Sequence, residues 1–441
     1  MTWRGSVMGY LPITMLGAVS VGISMWIGLF SGNRWVWSSD DAKLTPTPFP
    51  CGSPSSCVGH DPAALQRVDI QNETYYVTFV TGSNNGEALG IRYIKRGDHH
   101  WQKGPDSYLY PEWVGRYLAV HKLACGPNYE HKACSLWAPD LPSSGNGQKP
   151  GNDRFLVYYS ISDDAVRGDK GVKCIGYATA AWPQMALVDS GSPVLCVNGT
   201  QANQGAPHAI DPSVMVDDNG RWWLTYGSWS NYGNGTHQGA RGGGVWMVGL
   251  DPKTGHLSDA ALRICGEDFP FCWDADAYDP TSHSPWLNIA NHRGYDSPIG
   301  YIDGNSIEAS YLYNNRQRTG YYYLFVNWFW CCKGPDSTYQ IRYGRSRHPT
   351  GPFLDRDGTD MKDGGGSLLL KSTMKTKTHT FTGPGHAGIL YEEEHDRYVY
   401  TTSYEAIDKQ NMQLDVFVME FDAQGWPMLT GPFTSEADST P

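Results

Sequence analysis

Long runs rich in Ala, Leu, Glu and Lys are missing from this chain, which argues against a helical protein. Positive charge is scarce. Lys and Arg together number 34 against 45 Asp and Glu, for a formal net charge of −11. Phosphate binding needs clustered Lys and Arg, so nucleic acid is not an expected partner. The ten cysteines include no Cys-x-x-Cys pair, which argues against a zinc ribbon. What the chain has instead is Gly (51), Pro (28), Trp (17) and Tyr (27). Many short strands joined by turns, an all-β fold, suit that mixture.

The first residues differ from the rest. Residues 5–33 carry no charge, and Val7–Phe30 is mostly apolar. A helix of that length spans roughly 36 Å at about 1.5 Å per residue, enough for a bilayer core of ~30 Å. Length favours an uncleaved signal anchor in residues 1–36 over a cleaved signal peptide. Residues 37–56 are rich in Ser, Pro and Thr and read as an extended linker. The globular part is expected over 57–433, with a tail at 434–441. The cysteines fall into sequence neighbours: 51–57, 125–134, 174–196, 265–272 and 331–332. Sequons stand at Asn72, Asn198 and Asn234. Together these point to the secretory route, with the bulk of the chain lumenal or extracellular, secreted or membrane-anchored, and to a monomer.

A pattern repeats five times: a short polar motif, then an aromatic, β-branched run. The runs are Thr74–Val80, Arg154–Ile161, Arg221–Ser228, Gly320–Asn327 and Arg397–Ser403. The motifs are His60-Asp61-Pro62, Trp137-Ala138-Pro139-Asp140, Ile210-Asp211-Pro212, Ile307-Glu308-Ala309 and Gly383-Pro384-Gly385-His386. Five such units predict a five-bladed β-propeller, whose innermost strands would bring the motifs together at the axis. A large β-sandwich is the other all-β reading.

Asp-Pro is a common turn former, and Asp251-Pro252-Lys253-Thr254-Gly255 reads as a plain hairpin turn. Asp279-Pro280 sits in a polar stretch. Asp61 and Asp211 differ because each precedes an aromatic strand in register with the other units. With Glu308 they supply three carboxylates on three blades. Glycoside hydrolysis needs a carboxylic acid for the leaving oxygen and a carboxylate for water or carbon, with pKa values pushed apart by environment.

A family resemblance rests on longer strings. His208-Ala-Ile-Asp-Pro-Ser-Val214 with Gly220-Arg-Trp-Trp-Leu-Thr-Tyr-Gly-Ser-Trp229 resembles the second-Asp blade of glycoside hydrolase family 43, above all its endo-1,5-α-L-arabinanases. Trp137-Ala-Pro-Asp140, Ser306-Ile-Glu308, Gly320-Tyr-Tyr-Tyr-Leu-Phe325, Cys331-Cys332-Lys-Gly-Pro-Asp-Ser-Thr-Tyr-Gln-Ile-Arg342 and Gly383-Pro-Gly-His-Ala-Gly388 continue the match in order.

The resemblance implies an inverting hydrolase of α-1,5-linked arabinan, a pectin side chain. Asp61 would be the general base, Glu308 the general acid, and Asp211 would tune and orient the acid. His386 would help hold an axial ion, calcium or another, largely through water. The vicinal Cys331–Cys332 pair would lie near the substrate. Trp137, Asp140, Trp229 and Trp328 are further expected sugar contacts. Ala309-Ser310 departs from the Gly-Pro usual after the acid. The long stretches 231–244 and 266–305 put the preferred glycan in doubt, the latter carrying Phe269, Phe271, Trp273 and Trp286. An exo-acting β-xylosidase or α-L-arabinofuranosidase, or a carbohydrate-binding propeller without turnover, are the alternatives.

Overall fold

The computed structural model describes residues 58–82, 87–118, 136–144, 154–162, 171–203, 206–227, 244–278, 281–292, 306–372, 374–375, 380–406 and 411–435. The apolar stretch 7–30, the linker, Asn234, Asp279-Pro280 and cysteines 51, 57, 125 and 134 lie outside them. Among the described residues no helix is long and apolar enough to cross a membrane.

The strands form five sheets, the blades of a propeller. Blade 1 holds β1 (Gln66–Ile70), β2 (Glu73–Thr81), β3 (Leu89–Lys95) and β4 (Gln102–Lys103). Blade 2 is built from β5 (Trp137–Asp140), β7 (Arg154–Ser162), β8 (Lys173–Ala181), β9 (Val188–Asp189) and β10 (Leu195–Val197). Blade 3 holds β11 (Ser213–Val216), β12 (Trp222–Gly227), β13 (Val245–Leu250) and β14 (Leu287–Ala290), with β6 (Ser143–Ser144) pairing parallel to β11. Blade 4 comprises β15 (Ile307–Asn315), β16 (Tyr321–Trp328), β17 (Gln340–Ser346) and β18 (Ser367–Lys371). Blade 5 is β19 (Met374–Lys375), β20 (Thr380–Glu392), β21 (Arg397–Ala406), β22 (Asn411–Phe421) and β23 (Pro427–Pro432). The five aromatic runs of the sequence are β2, β7, β12, β16 and β21, the second strand of every blade once the two-residue strands β6 and β19 are set aside.

Each blade is apolar on both faces because it is sandwiched between neighbours. A hydrophobic cluster fills each of the five junctions. Phe79, Trp113, Val157 and Tyr159 fill the seam of blades 1 and 2. Tyr158, Leu224 and Trp246 fill that of blades 2 and 3. Met215, Met247, Leu312 and Leu324 lie between blades 3 and 4, and Tyr311, Phe325, Tyr400 and Phe417 between blades 4 and 5. Leu65, Tyr76, Val399 and Leu414 close the ring from blade 5 to blade 1. Strand alternation sorts the side chains: Leu312 faces one neighbour, while Tyr311 and Tyr313 face the other. The closing seam also carries an ionic clasp. Buried Glu392 accepts from the Tyr76 hydroxyl, from Arg96 at 3.3 Å and from Arg397 at 2.5 Å.

Turns repeat too. In Asp217-Asp-Asn-Gly-Arg221, Asp355-Arg-Asp-Gly-Thr359 and Asp422-Ala-Gln-Gly-Trp426 the first carboxylate accepts the N–H groups two and four residues on, at 2.8–3.0 Å. Gly220 takes the left-handed φ of 75° that closes the first of them. Asp251–Gly255 is the turn its sequence predicts.

Within 266–305 the described residues contribute β14, and Phe271, Trp273 and Trp286 pack against neighbours. Trp286 is 1% exposed, Trp273 meets Trp246 edge-on at 6.1 Å, and Phe271 meets Tyr117 at 5.9 Å. The described disulfides join sequence neighbours: Cys174–Cys196, Cys265–Cys272 and Cys331–Cys332. Asn72 is exposed on the β1–β2 turn. Asn198 begins a short helix in a reciprocal capping pair with Gln201.

Candidate active site

The mouth of the channel is built by one local device used five times. In every blade the first strand carries an extra residue opposite the second. His60 and Ala63 face Thr81 and Phe79, and Trp137 and Asp140 face Ser160 and Tyr158. Ile210 and Ser213 face Gly227 and Thr225, and Glu308 and Tyr311 face Asn327 and Phe325. Gly385 and Gly388 face Ser403 and Thr401. A bulge of this kind needs one residue out of the ladder. Here it is Asp61, Ala138, Asp211, Ala309 and His386, with φ of 50°, 46°, 51°, 52° and 59°. Non-glycine residues seldom hold that left-handed conformation. The five bends are therefore maintained against a local cost by the surrounding sheet.

Side chains bond the bent backbone across blade junctions at four of the five positions. Thr81 Oγ1 accepts from Ala138 N at 3.0 Å, and Ser160 Oγ from Asp211 N at 2.9 Å. Asn327 Oδ1 accepts from His386 N at 3.1 Å. Between blades 3 and 4 the equivalent second-strand residue is Gly227. There Asp211 itself substitutes, its Oδ2 accepting from Ala309 N at 2.9 Å.

Asp61 is 6% exposed and heavily bonded. Its Oδ1 meets His386 Nε2 at 2.8 Å and His60 Nε2 at 3.0 Å, and its Oδ2 accepts from Thr81 Oγ1 at 2.6 Å. Burial alone would raise this carboxyl, but the two imidazoles outweigh it and hold it well below the usual Asp range. Both imidazoles move the other way: burial works against their charge, and Asp61 overcomes it and raises them.

Glu308 is 7% exposed and its Oε1 accepts from the Tyr339 hydroxyl at 2.7 Å. Asp211 is raised well above the ordinary Asp value by burial, reinforced by the charges of Glu308 and Asp61 and opposed by His386 and the Ala309 N–H. The Tyr339 hydroxyl is raised by burial and then by Glu308, Asp211 and Asp61. Contacts group these residues: Asp61 meets His386 at 2.8 Å, and Asp211 holds the N–H of Ala309, next to Glu308, at 2.9 Å. Three buried like charges cannot all ionise cheaply, so the cluster keeps a proton while Asp61 stays ionised.

A loop from blade 4 covers the seam with blade 5. Cys332 Sγ lies 3.9 Å from His60 Nε2, so the vicinal disulfide stands beside Asp61's own neighbour. Glu405, at the mouth end of β21, latches this loop. It accepts from Cys332 N at 2.6 Å, from Gly334 N at 2.7 Å and from the Ser337 hydroxyl.

The aromatic expectations divide. Trp137 is half-buried, one residue before the bend of blade 2. Trp328 is 8% exposed, with His292 at 4.4 Å and the Arg342 guanidinium at 4.2 Å from its ring centre. Those groups cover the ring, so it is placed as packing and not as a sugar platform. Trp229 lies outside the described residues. Asp140 sits two residues past its bend and is 4% exposed. Its Oδ2 accepts from Val214 N at 2.8 Å, and burial pushes its carboxyl up to about 8. It ties blade 2 to blade 3 beneath the rim.

His386 is a poor start for a calcium cage. Calcium takes six to eight oxygens, whereas His386 offers nitrogen, and its Nε2 is already engaged by Asp61. His60, Cys331 and Cys332 bring three potential ligand atoms within 4.8 Å of one another, but both sulfurs are spent in the disulfide. Among the described residues His386 alone is the expected protein ligand, so the shell of the expected ion falls to water, as the resemblance implies.

Four residues of this site carry no assignment from the sequence. His60 and Tyr339 lie inside the quoted motifs. Thr81 and Glu405 stand just past the ends of the first and fifth aromatic runs, so aligning the runs on their mouth ends exposes both.

The sequence model of glycosyl hydrolases family 43 matches residues 120–427. The chain belongs to glycosyl hydrolases family 43. This family 43 chain is 28% identical over 387 residues to the extracellular exo-α-(1→5)-L-arabinofuranosidase ArbA of Cellvibrio japonicus, covering 86% of this chain and 88% of the relative. It is 26% identical over 379 residues to the extracellular endo-α-(1→5)-L-arabinanase 1 of Bacillus subtilis, covering 83% and 86%. The family 43 endo-arabinanase of Bacillus licheniformis superposes with a TM-score of 0.58 at 26% identity, over 86% of this chain and all of that one.

Proposed function

We propose that the protein hydrolyses α-1,5-linked L-arabinan by an inverting general acid/base mechanism. What carries the reading is Asp61, a buried carboxylate kept ionised by two histidines at a channel mouth that also holds Glu308 and Asp211. In this scheme water attacks from the Asp61 side. Its oxygen bonds to the anomeric carbon, its proton passes to Asp61, and the bond to the leaving oxygen breaks as Glu308 delivers a proton to it. Asp211 and Tyr339 keep Glu308 in place. No step passes through a metal ion. The Cellvibrio relative is exo-acting and the Bacillus relatives are endo-acting, and we place this chain with the endo enzymes. The extracellular names of the two relatives, with the disulfides, support a secreted site of action.

Linear arabinan, debranched arabinan and xylan are the substrates to compare, by end-product profile and by NMR of the first anomer released. Short arabino-oligosaccharides of mixed length with inverted configuration are expected. Monosaccharide alone from the outset would assign the exo activity. Undiminished turnover in Asp61→Asn or Glu308→Gln would overturn the catalytic assignment, and no turnover of any of the three glycans by the wild type would leave a binding propeller.

A further inference from the structure

Thr81 ends β2 at the mouth. Its N–H donates to His60 O at 2.8 Å, which fixes its backbone one residue from Asp61. Its hydroxyl lies 3.0 Å from Ala138 N and 2.6 Å from Asp61 Oδ2. A backbone N–H only donates, so the hydroxyl accepts from Ala138. An ionised Asp61 only accepts, so the hydroxyl proton goes to Oδ2. The direction of the relay is settled: Ala138 N–H to Thr81 Oγ1–H to Asp61 Oδ2.

A carboxylate has about four lone-pair positions. On Asp61 both positions of Oδ1 are met by His60 and His386, and one of Oδ2 by Thr81. One acceptor direction is left, on Oδ2. A general base must receive its proton along a free direction of this kind. We propose that Thr81 is a positioning residue that reserves the last lone pair of Asp61 for the nucleophilic water. Because its other bond is to Ala138, it also ties the base to the blade 2 rim beside Trp137. The inference rests on the hydrolase reading of the same site.

The experiment uses the full chain and the glycan that the wild type cuts. Thr81→Val keeps the shape and removes the hydroxyl, and Thr81→Ser keeps the hydroxyl. For Val, kcat is expected to fall about 10- to 100-fold with KM within about threefold, and Ser is expected to recover most of the loss. Thermal unfolding midpoints establish that both variants are folded. If Val does not fold, Thr81→Ala takes its place against the same Ser control. A kcat within about threefold of wild type for the hydroxyl-free variant overturns the proposal. A Ser variant as impaired as Val does so too, since the methyl group would then be what matters, and so does a loss confined to KM. Inactive wild type would instead strike at the hydrolase reading, which separates the two failures.

Discussion

Asp211 Oδ2 holds the backbone N–H of Ala309 at 2.9 Å across the junction of blades 3 and 4, where Gly227 provides no side chain for the task. One carboxylate thus serves two purposes, a charge beside Glu308 and a brace for the bend that follows it. Asn at 211 keeps an oxygen for the brace and removes the charge, whereas Ala removes both. We expect Asp211→Ala to lose about 10-fold more kcat/KM than Asp211→Asn. Equal loss in steady-state kinetics would show that charge alone matters.

His60 is one of two imidazoles that hold Asp61 low, acting against burial and alongside His386. Gln at 60 keeps a donor and deletes the charge. If the acid limb of kcat/KM reports ionisation of Asp61, it is expected below the usual Asp range in the wild type. In His60→Gln it should move up by roughly one pH unit. An unmoved limb in the pH–rate profile would assign the depression to His386.

Glu405 accepts from two backbone N–H groups and one hydroxyl of the loop that carries Cys331–Cys332. Gln at this position must turn its amide N–H₂ toward one of those donors. We expect Glu405→Gln to raise KM for arabino-oligosaccharides about 5- to 20-fold with a smaller fall in kcat, and to speed amide exchange over 331–339. Unchanged exchange with unchanged KM would remove the latch role.

Asp415 is 5% exposed, and burial pushes its carboxyl up to about 8. Between the unfolded Asp value near 4 and about 8, the folded protein keeps a proton that the unfolded chain has released. Stability from this group is therefore whole at low pH and is lost as pH rises toward about 8. Asp415→Asn should gain more than about 1 kcal/mol over wild type at pH 8 and little at pH 4.5, measured by denaturant unfolding. An equal difference at both pH values would contradict the buried neutral carboxyl.

The second strands were legible because Tyr, Trp, Val and Phe crowd them. The first strands were not, because the bulge breaks alternation where the functional residues sit. β20 contains Gly383-Pro384-Gly385-His386, which reads as a turn and is a strand. β14 is only Leu287-Asn-Ile-Ala290 and is lost in a long polar stretch. Asp61, Asp211 and His386 share one register, which their order in the sequence already suggested. Asp140 was drawn into the site by its motif, but its place two residues further along the strand gives its carboxylate to Val214 N of blade 3. Tyr339 meets Glu308 within blade 4, and Glu405 meets Cys332 across blades 4 and 5, so no local pattern announces them.

The seam where the ring closes joins the first blade to the last, and Asp61 and His386 meet across it at 2.8 Å. A chain emerging from the ribosome forms its early blades first, yet its base acquires both histidines only after blade 5 has docked. Proteolytic loss of the final sheet would leave four blades' worth of strands and an Asp61 without its stronger imidazole. Turnover therefore reports that synthesis has passed through blade 5 and that the circle is shut.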